Sequence, residues 1–184
     1  MNKNYRDTWA EIDFDKLTHN YEQIKKLRTE EKMIAVIKAN AYGHGDVQMA
    51  KLFSELGAEY LAVSSLDEAL KLRKNNINIP IIVLAPIKIS DINIAIEFDI
   101  TIIAYDEEWV NELVKLPFSK SLKIHLEVET GMNRIGLRDV IGTYQVLSNL
   151  EHIIIEGIYT HIASADSNME SVDEQINRFN DILD

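Results

Sequence analysis

Lys38 closes the apolar run Ala35, Val36, Ile37 and is followed by Ala-Asn-Ala-Tyr-Gly-His-Gly, residues 39–45. A lysine at the carboxyl end of a buried strand lies on the face where β/α barrels and open α/β sheets place their active sites. Partly apolar surroundings favour the neutral form of an amine, which can then attack a carbonyl carbon, as a Schiff-base lysine must. Gly43 and Gly45 flank His44 and predict a tight loop ahead of a helix start, where the Tyr42 phenol could donate to a phosphate. Taken singly, these residues leave plainer readings open: a lysine snorkelling from a strand end and a glycine turn with a packed tyrosine. Arg134 follows one later strand candidate and His161 ends the next, so both fall on the face that carries Lys38. On their own they would read as an ion-pair residue and a packed core histidine.

The other titratable groups read as structural. His19 lies in a helix candidate, His125 inside a strand and His152 ahead of one, with no metal-ligand spacing among them, so no metal is expected. Asp67 and Glu68 begin a helix, where carboxylates suit the positive end of the dipole. The sequence has no cysteine, which excludes disulfides, zinc-thiolate sites and a cysteine nucleophile and fits a reducing compartment.

Short β-branched runs alternate with longer amphipathic segments. A short strand is predicted at 9–13, then a helix at 16–28 capped by Asp15, with Leu17, Tyr21, Ile24 and Leu27 on one face. Six strand-helix units follow. Strands are predicted at 33–39, 60–65, 79–85, 100–105, 122–129 and 153–161. Helices are predicted at 47–56, 66–75, 90–97, 107–116, 140–149 and 171–183. Asp46, Ser65, Ser90, Asp106 and Asp139 stand where caps belong, and Gly57 where a helix should stop. Strands separated by single helices imply parallel crossovers, and runs such as Ile-Ile-Val-Leu-Ala suit strands buried on both faces. Periodicity alone leaves a doubly wound sheet and a β/α barrel open. No G-x-G-x-x-G follows the first strand, and no P-loop lysine appears, which sets aside a nucleotide-binding sheet.

The 184 residues suffice for one domain with a real core, and no Pro/Gly-rich linker divides them. A net charge of −11 argues against a broad nucleic-acid surface. No apolar stretch approaches the roughly 20 residues needed to cross a bilayer. The first residues show no secretory h-region, so a cytoplasmic protein is expected.

The segment Val-Ile-Lys-Ala-Asn-Ala-Tyr-Gly-His-Gly resembles the lysine signature of the alanine racemases, which use pyridoxal 5′-phosphate (PLP). The resemblance continues in order through Ala-Glu-Ile-Asp at 10–13, Ser-Ser-Leu-Asp-Glu-Ala-Leu-Lys-Leu-Arg at 64–73, Glu-Thr-Gly-Met-Asn-Arg-Ile-Gly at 129–136 and Gly-Ile-Tyr-Thr-His-Ile-Ala-Ser-Ala-Asp at 157–166. It implies that residues 1–184 form the PLP-binding part of a (β/α)8 TIM-type barrel. About six βα units are present, without the last units and the carboxyl-terminal β domain. It implies that Lys38 forms the Schiff base with PLP and is one of two bases at the substrate α-carbon. Tyr42 would hydrogen-bond the PLP phosphate, and Arg134 would contact the phenolic oxygen and help place the substrate carboxylate. His161 would pack against the pyridine ring. The expected reaction is interconversion of L- and D-alanine for peptidoglycan precursors, in a homodimer whose second base, a tyrosine, comes from the β domain of the other subunit.

The resemblance leaves three further readings. These are a serine or broader-specificity racemase, a PLP-binding module without racemase activity, and a fragment inert by itself. One local departure stands out. Many family members carry a lysine, open to carbamylation, where this chain has Glu127. The Glu127 carboxylate is expected to replace that anion and to pair directly with Arg134.

Overall fold

The computed structural model describes residues 7–27, 30–118 and 120–183. Helix α1 (Phe14–Lys26) precedes six strand-helix units: β1 (Ile34–Val36) and α2 (Asp46–Glu55); β2 (Tyr60–Val63) and α3 (Leu66–Lys74); β3 (Ile81–Val83) and α4 (Ile92–Glu97); β4 (Ile102–Ala104) and α5 (Glu107–Leu113); β5 (Leu122–Val128) and α6 (Val140–Ser148); β6 (Ile153–Thr160) and α7 (Met169–Leu183). All strand pairs are parallel, in two sheets ordered β1-β2-β3 and β4-β5-β6. A parallel bridge between Ile82 and Thr101 joins the sheets, with Thr101 N–H donating to Ile81 C=O and Val83 N–H to Thr101 C=O, both at 2.9 Å. The order therefore advances strand by strand around an arc, with no reversal such as a doubly wound sheet requires. The arc stays open: among the described residues β1 and β6 each pair on one side only.

The main core lies between the sheets and the helices, because alternate strand residues face outward. Leu61, Ile81, Ile102, Ile124 and Leu126 are buried there beneath Leu72, Ile92 and Leu113 of the helices. The inner face carries the other set, with Ala62, Ile82 and Ile103 as its apolar centre. Arg73 ties α3 to the strand bottoms: its guanidinium donates to the carbonyls of Ile77, Ile79, Phe98 and Asp99 at 2.7 to 2.9 Å.

Several local expectations need correction. Residues 8–13 form no strand, since no partner offers them a ladder. Helix α1 starts earlier than predicted, because the Asp13 carboxylate, not Asp15, accepts the Lys16 N–H, at 3.1 Å. Of the predicted α1 face, Tyr21 is buried, but Ile24 and Leu27 are exposed, and Arg28 lies outside the described residues. Asp46 is the first residue of α2 and not its cap; its buried carboxylate pairs with Lys71 at 2.8 Å. Ser90 sits inside a 3-10 turn (Ile89–Asp91) and caps nothing. Ser65, Asp106 and Asp139 do cap α3, α5 and α6. Gly57 follows α2 at φ +83°, a left-handed stop that glycine adopts without strain. Among the described residues no helix is long and apolar enough to cross a membrane.

Candidate active site

The predicted strand 33–39 ends at Val36, and the backbone after Lys38 turns the opposite way from an ordinary helix. Ala39, Asn40, Ala41 and Tyr42 all have φ between 51° and 56°. For L-residues this hand costs about 1–2 kcal/mol each, and such residues normally occur singly. Four in succession persist only where the surroundings over-determine them, as happens at functional sites. The fastenings are specific. Ala41 N–H donates to Ile37 C=O at 2.9 Å, and Gly45 N–H to Asn40 C=O at 2.9 Å. Asn40 Oδ1 accepts the Asp46 N–H at 3.2 Å. Glu68, on α3, reaches across: Oε1 accepts Ala39 N–H at 2.6 Å, while Oε2 accepts the N–H and hydroxyl of Ser64 at 2.8 and 2.9 Å. These bonds hold its carboxyl below the usual range despite the opposing effect of burial, the largest single influence. Glu68 is thus a fastening of the lysine turn, a role that a helix-dipole reading missed.

The segment after β5 is built with equal economy. Glu129 accepts the N–H groups of Gly131 and Asn133, the latter at 2.7 Å. Leu137 then returns to the β5 ladder, its N–H donating to Glu127 C=O at 2.7 Å. Gly136, at φ +132°, is obligatory: a Cβ there would lie 2.6 Å from the Glu129 nitrogen. Arg134 stands on the excursion between them, and His161 stands directly after β6.

These elements bring Lys38, Arg134 and His161 to one cavity of about 290 Å³. Ser64, Leu84, Ala85 and Pro86 from the ends of β2 and β3 complete one side, with Glu127, Ile135 and Tyr159 on the other. A second, larger cleft shares Arg134 but contains no lysine, so the smaller one, with its amine, is the candidate site. Tyr42 does not line either; its ring is exposed and borders a cleft with Leu17, Ile37 and Met49.

The electrostatics of the cavity are uneven. Partial burial, then the positive charges of Arg134 and Lys38, hold the His161 imidazole below its ordinary value of 6.5, so it is neutral at neutral pH. Glu127 is buried and shifts the other way: loss of water raises its carboxyl, opposed by the Tyr159 hydrogen bond and by Arg134. Tyr159 O–H donates to Glu127 Oε2 at 2.8 Å. The expected direct pairing of Glu127 with Arg134 is therefore corrected: the phenol takes the carboxylate oxygen, and Arg134 acts at longer range. Burial and the Glu127 charge in turn push the Tyr159 phenol well above its usual range. An amine, a guanidinium and a neutral imidazole above an apolar side of Leu84, Ala85 and Pro86 suit a flat, anionic, aromatic aldehyde. The cavity fits PLP in its chemistry.

Comparison with known proteins agrees with this geometry. Residues 12–184 match the family described as alanine racemase, N-terminal domain. The alanine racemase of Geobacillus stearothermophilus is 41% identical over 192 aligned positions, spanning 100% of this chain and 49% of that protein. The solved alanine racemase of Bacillus anthracis with bound L-Ala-P superposes with a TM-score of 0.89 at 41% identity, covering 98% of this chain and 48% of that one. A histidine racemase from Leuconostoc mesenteroides subsp. sake superposes at 0.85 with 33% identity, over 91% of this chain and 46% of its own. The chain thus spans about half the length of the proteins it matches. The family match over residues 12–184 and the likeness in sequence and fold show that the chain belongs to the alanine racemase N-terminal domain family, a family of PLP-dependent isomerases.

Proposed function

We propose that this chain carries the PLP-holding half of an amino-acid racemase interconverting L- and D-alanine, with residues 1–184 as one barrel-forming domain. The observation that carries the reading is the single cavity shared by Lys38, Arg134 and His161. Lys38 would hold the cofactor covalently, Arg134 would face its phenolic oxygen and His161 its ring. When bound, PLP would spread the negative charge left at the substrate α-carbon. Tyr42 would reach the phosphate only by turning in from its exposed position. Lys38 Nζ would take or return the α-proton on one face of the substrate. Neutral His161 would pack on the ring without competing for that proton, and Leu84 and Pro86 would keep water from it. Glu127 would restrain Arg134 electrostatically from within the barrel.

The second base lies outside these 184 residues, contributed by a partner subunit in a cytoplasmic homodimer whose D-alanine serves peptidoglycan synthesis. The histidine racemase likeness favours a second reading, in which substrate choice is set mostly outside this half and other amino acids are accepted.

The test is α-proton exchange in deuterated water with PLP and each alanine enantiomer. A one-base site should exchange the α-proton of one enantiomer far faster than the other, and Lys38→Ala should abolish it. Exchange indifferent to Lys38→Ala would overturn the reading.

A further inference from the structure

Helix α7 has a polar residue where an amphipathic helix should bury an apolar one. Gln175 is 1% exposed, and both ends of its amide are hydrogen-bonded. Oε1 accepts Ala163 N–H at 2.8 Å; Nε2 donates to His161 C=O at 3.1 Å and to Thr130 Oγ1 at 3.0 Å. The first two contacts fix which end of the amide is oxygen, so the direction of the next bonds is determined. Thr160 Oγ1 donates to Val128 C=O at 2.9 Å, hence it accepts from Thr130 Oγ1 at 2.7 Å. One directed chain therefore runs from Gln175 through Thr130 and Thr160 to the β5 backbone. Gly131 makes room for it: at φ +151° its missing Cβ would lie 3.0 Å from Gln175 Cγ.

The partners of this amide are the two segments that present the cavity's charged and ring groups. Thr130 opens the excursion that carries Arg134, and the His161 carbonyl belongs to the histidine itself. Arg178, one helical turn on, adds a second bond to Thr130 C=O at 2.9 Å. We infer that Gln175 is a positioning residue, its amide holding the Arg134 excursion and the His161 strand end in one register. Its consequence for cofactor binding rests on the PLP reading given above; the positioning itself does not. A buried amide bonded at both its oxygen and its nitrogen is costly to disturb, since a lost partner leaves a desolvated polar group unpaired.

The experiment follows the His161 ring by NMR titration in the full chain without cofactor. Gln175→Met keeps the side chain's length and neutrality but removes all three bonds. If Gln175 holds Arg134 near His161, the His161 midpoint rises toward its ordinary value in Gln175→Met, and the rise shrinks when Arg134→Gln is already present. Thr130→Val breaks the same chain at its next link and should move the midpoint the same way; it serves if Gln175→Met does not fold. An unchanged midpoint in a folded variant, or an equal rise with and without Arg134, overturns the inference. PLP affinity gives the second readout, with about a tenfold loss expected, or 1.4 kcal/mol. Wild-type chain that takes up no PLP, while the midpoint still moves with Gln175, would sink the cofactor reading and leave the positioning role standing.

Discussion

Replacing Glu68 by glutamine tests the fastening of the lysine turn. The carboxylate accepts three donors, one on Oε1 and two on Oε2. A glutamine amide has one oxygen, so it can keep the Ser64 pair only by turning its NH₂ toward Ala39 N–H. Two donors then face each other where the wild-type bond is 2.6 Å long. A hydrogen bond to a charged acceptor contributes about 1.5–3 kcal/mol net, and water at the exposed Ala39 recovers part of it, so a loss of about 1–2 kcal/mol is expected at pH 7. The folded-state pKa of Glu68 is depressed below its ordinary 4.5. Its contribution is therefore present above pH 4.5 and is lost as pH falls through the folded value. Urea unfolding of wild type and Glu68→Gln across pH 3 to 7 should show two curves that converge in acid. A difference constant with pH, or one below about 0.3 kcal/mol at pH 7, would refute the reasoning.

Ala39→Gly should stabilise the chain, against the usual effect of glycine. Ala39 is exposed at φ 51°, so glycine relieves about 1–2 kcal/mol of left-handed strain and costs about 0.5–1 in unfolded-state entropy. The net gain, about 0.5–1 kcal/mol, is read from the urea midpoint; a lower midpoint would contradict the left-handed turn. Glu127→Gln should impair α-proton exchange while leaving folding intact or improved. The Glu127 carboxyl is raised above 4.5, so its stabilising contribution is present below that value and lost as pH rises through the folded pKa. Glutamine keeps the Tyr159 acceptor without a buried charge, so thermal unfolding at pH 7 should not shift downward. Unchanged exchange would show that the charge does not restrain Arg134. Arg73→Ala strips four carbonyls of their donors and should cost about 2–4 kcal/mol in urea unfolding, with little effect on the cavity; a loss under about 1 would contradict the bonding described.

What the sequence made legible was what local chemistry determines. The six apolar runs became six parallel strands: β3 and β4, buried throughout, need no alternation to announce them, while the edge strands β1 and β6 are partly exposed. Ser65, Asp106 and Asp139 were readable as caps because a cap acts within three residues. The turn at 39–42 was not readable: of its four residues only Asn40 is of a type that favours positive φ, and one of the bonds that secure the turn comes from Glu68, 29 residues away. The same holds for Gln175, whose partners lie 12 to 45 residues distant. Tyr159 could have been found, since it lies two residues from His161 on the same strand face. The strand at 9–13 failed because a short alternation says nothing about a partner.

The most direct test of the central claim is reductive trapping. The chain is incubated with PLP, treated with borohydride, digested and mapped by mass spectrometry. The reduced cofactor is expected on Lys38, with markedly less in Arg134→Gln and none at that peptide in Lys38→Ala. Cofactor spread over surface lysines, or Lys38 no more modified than Lys115 or Lys120, would contradict it.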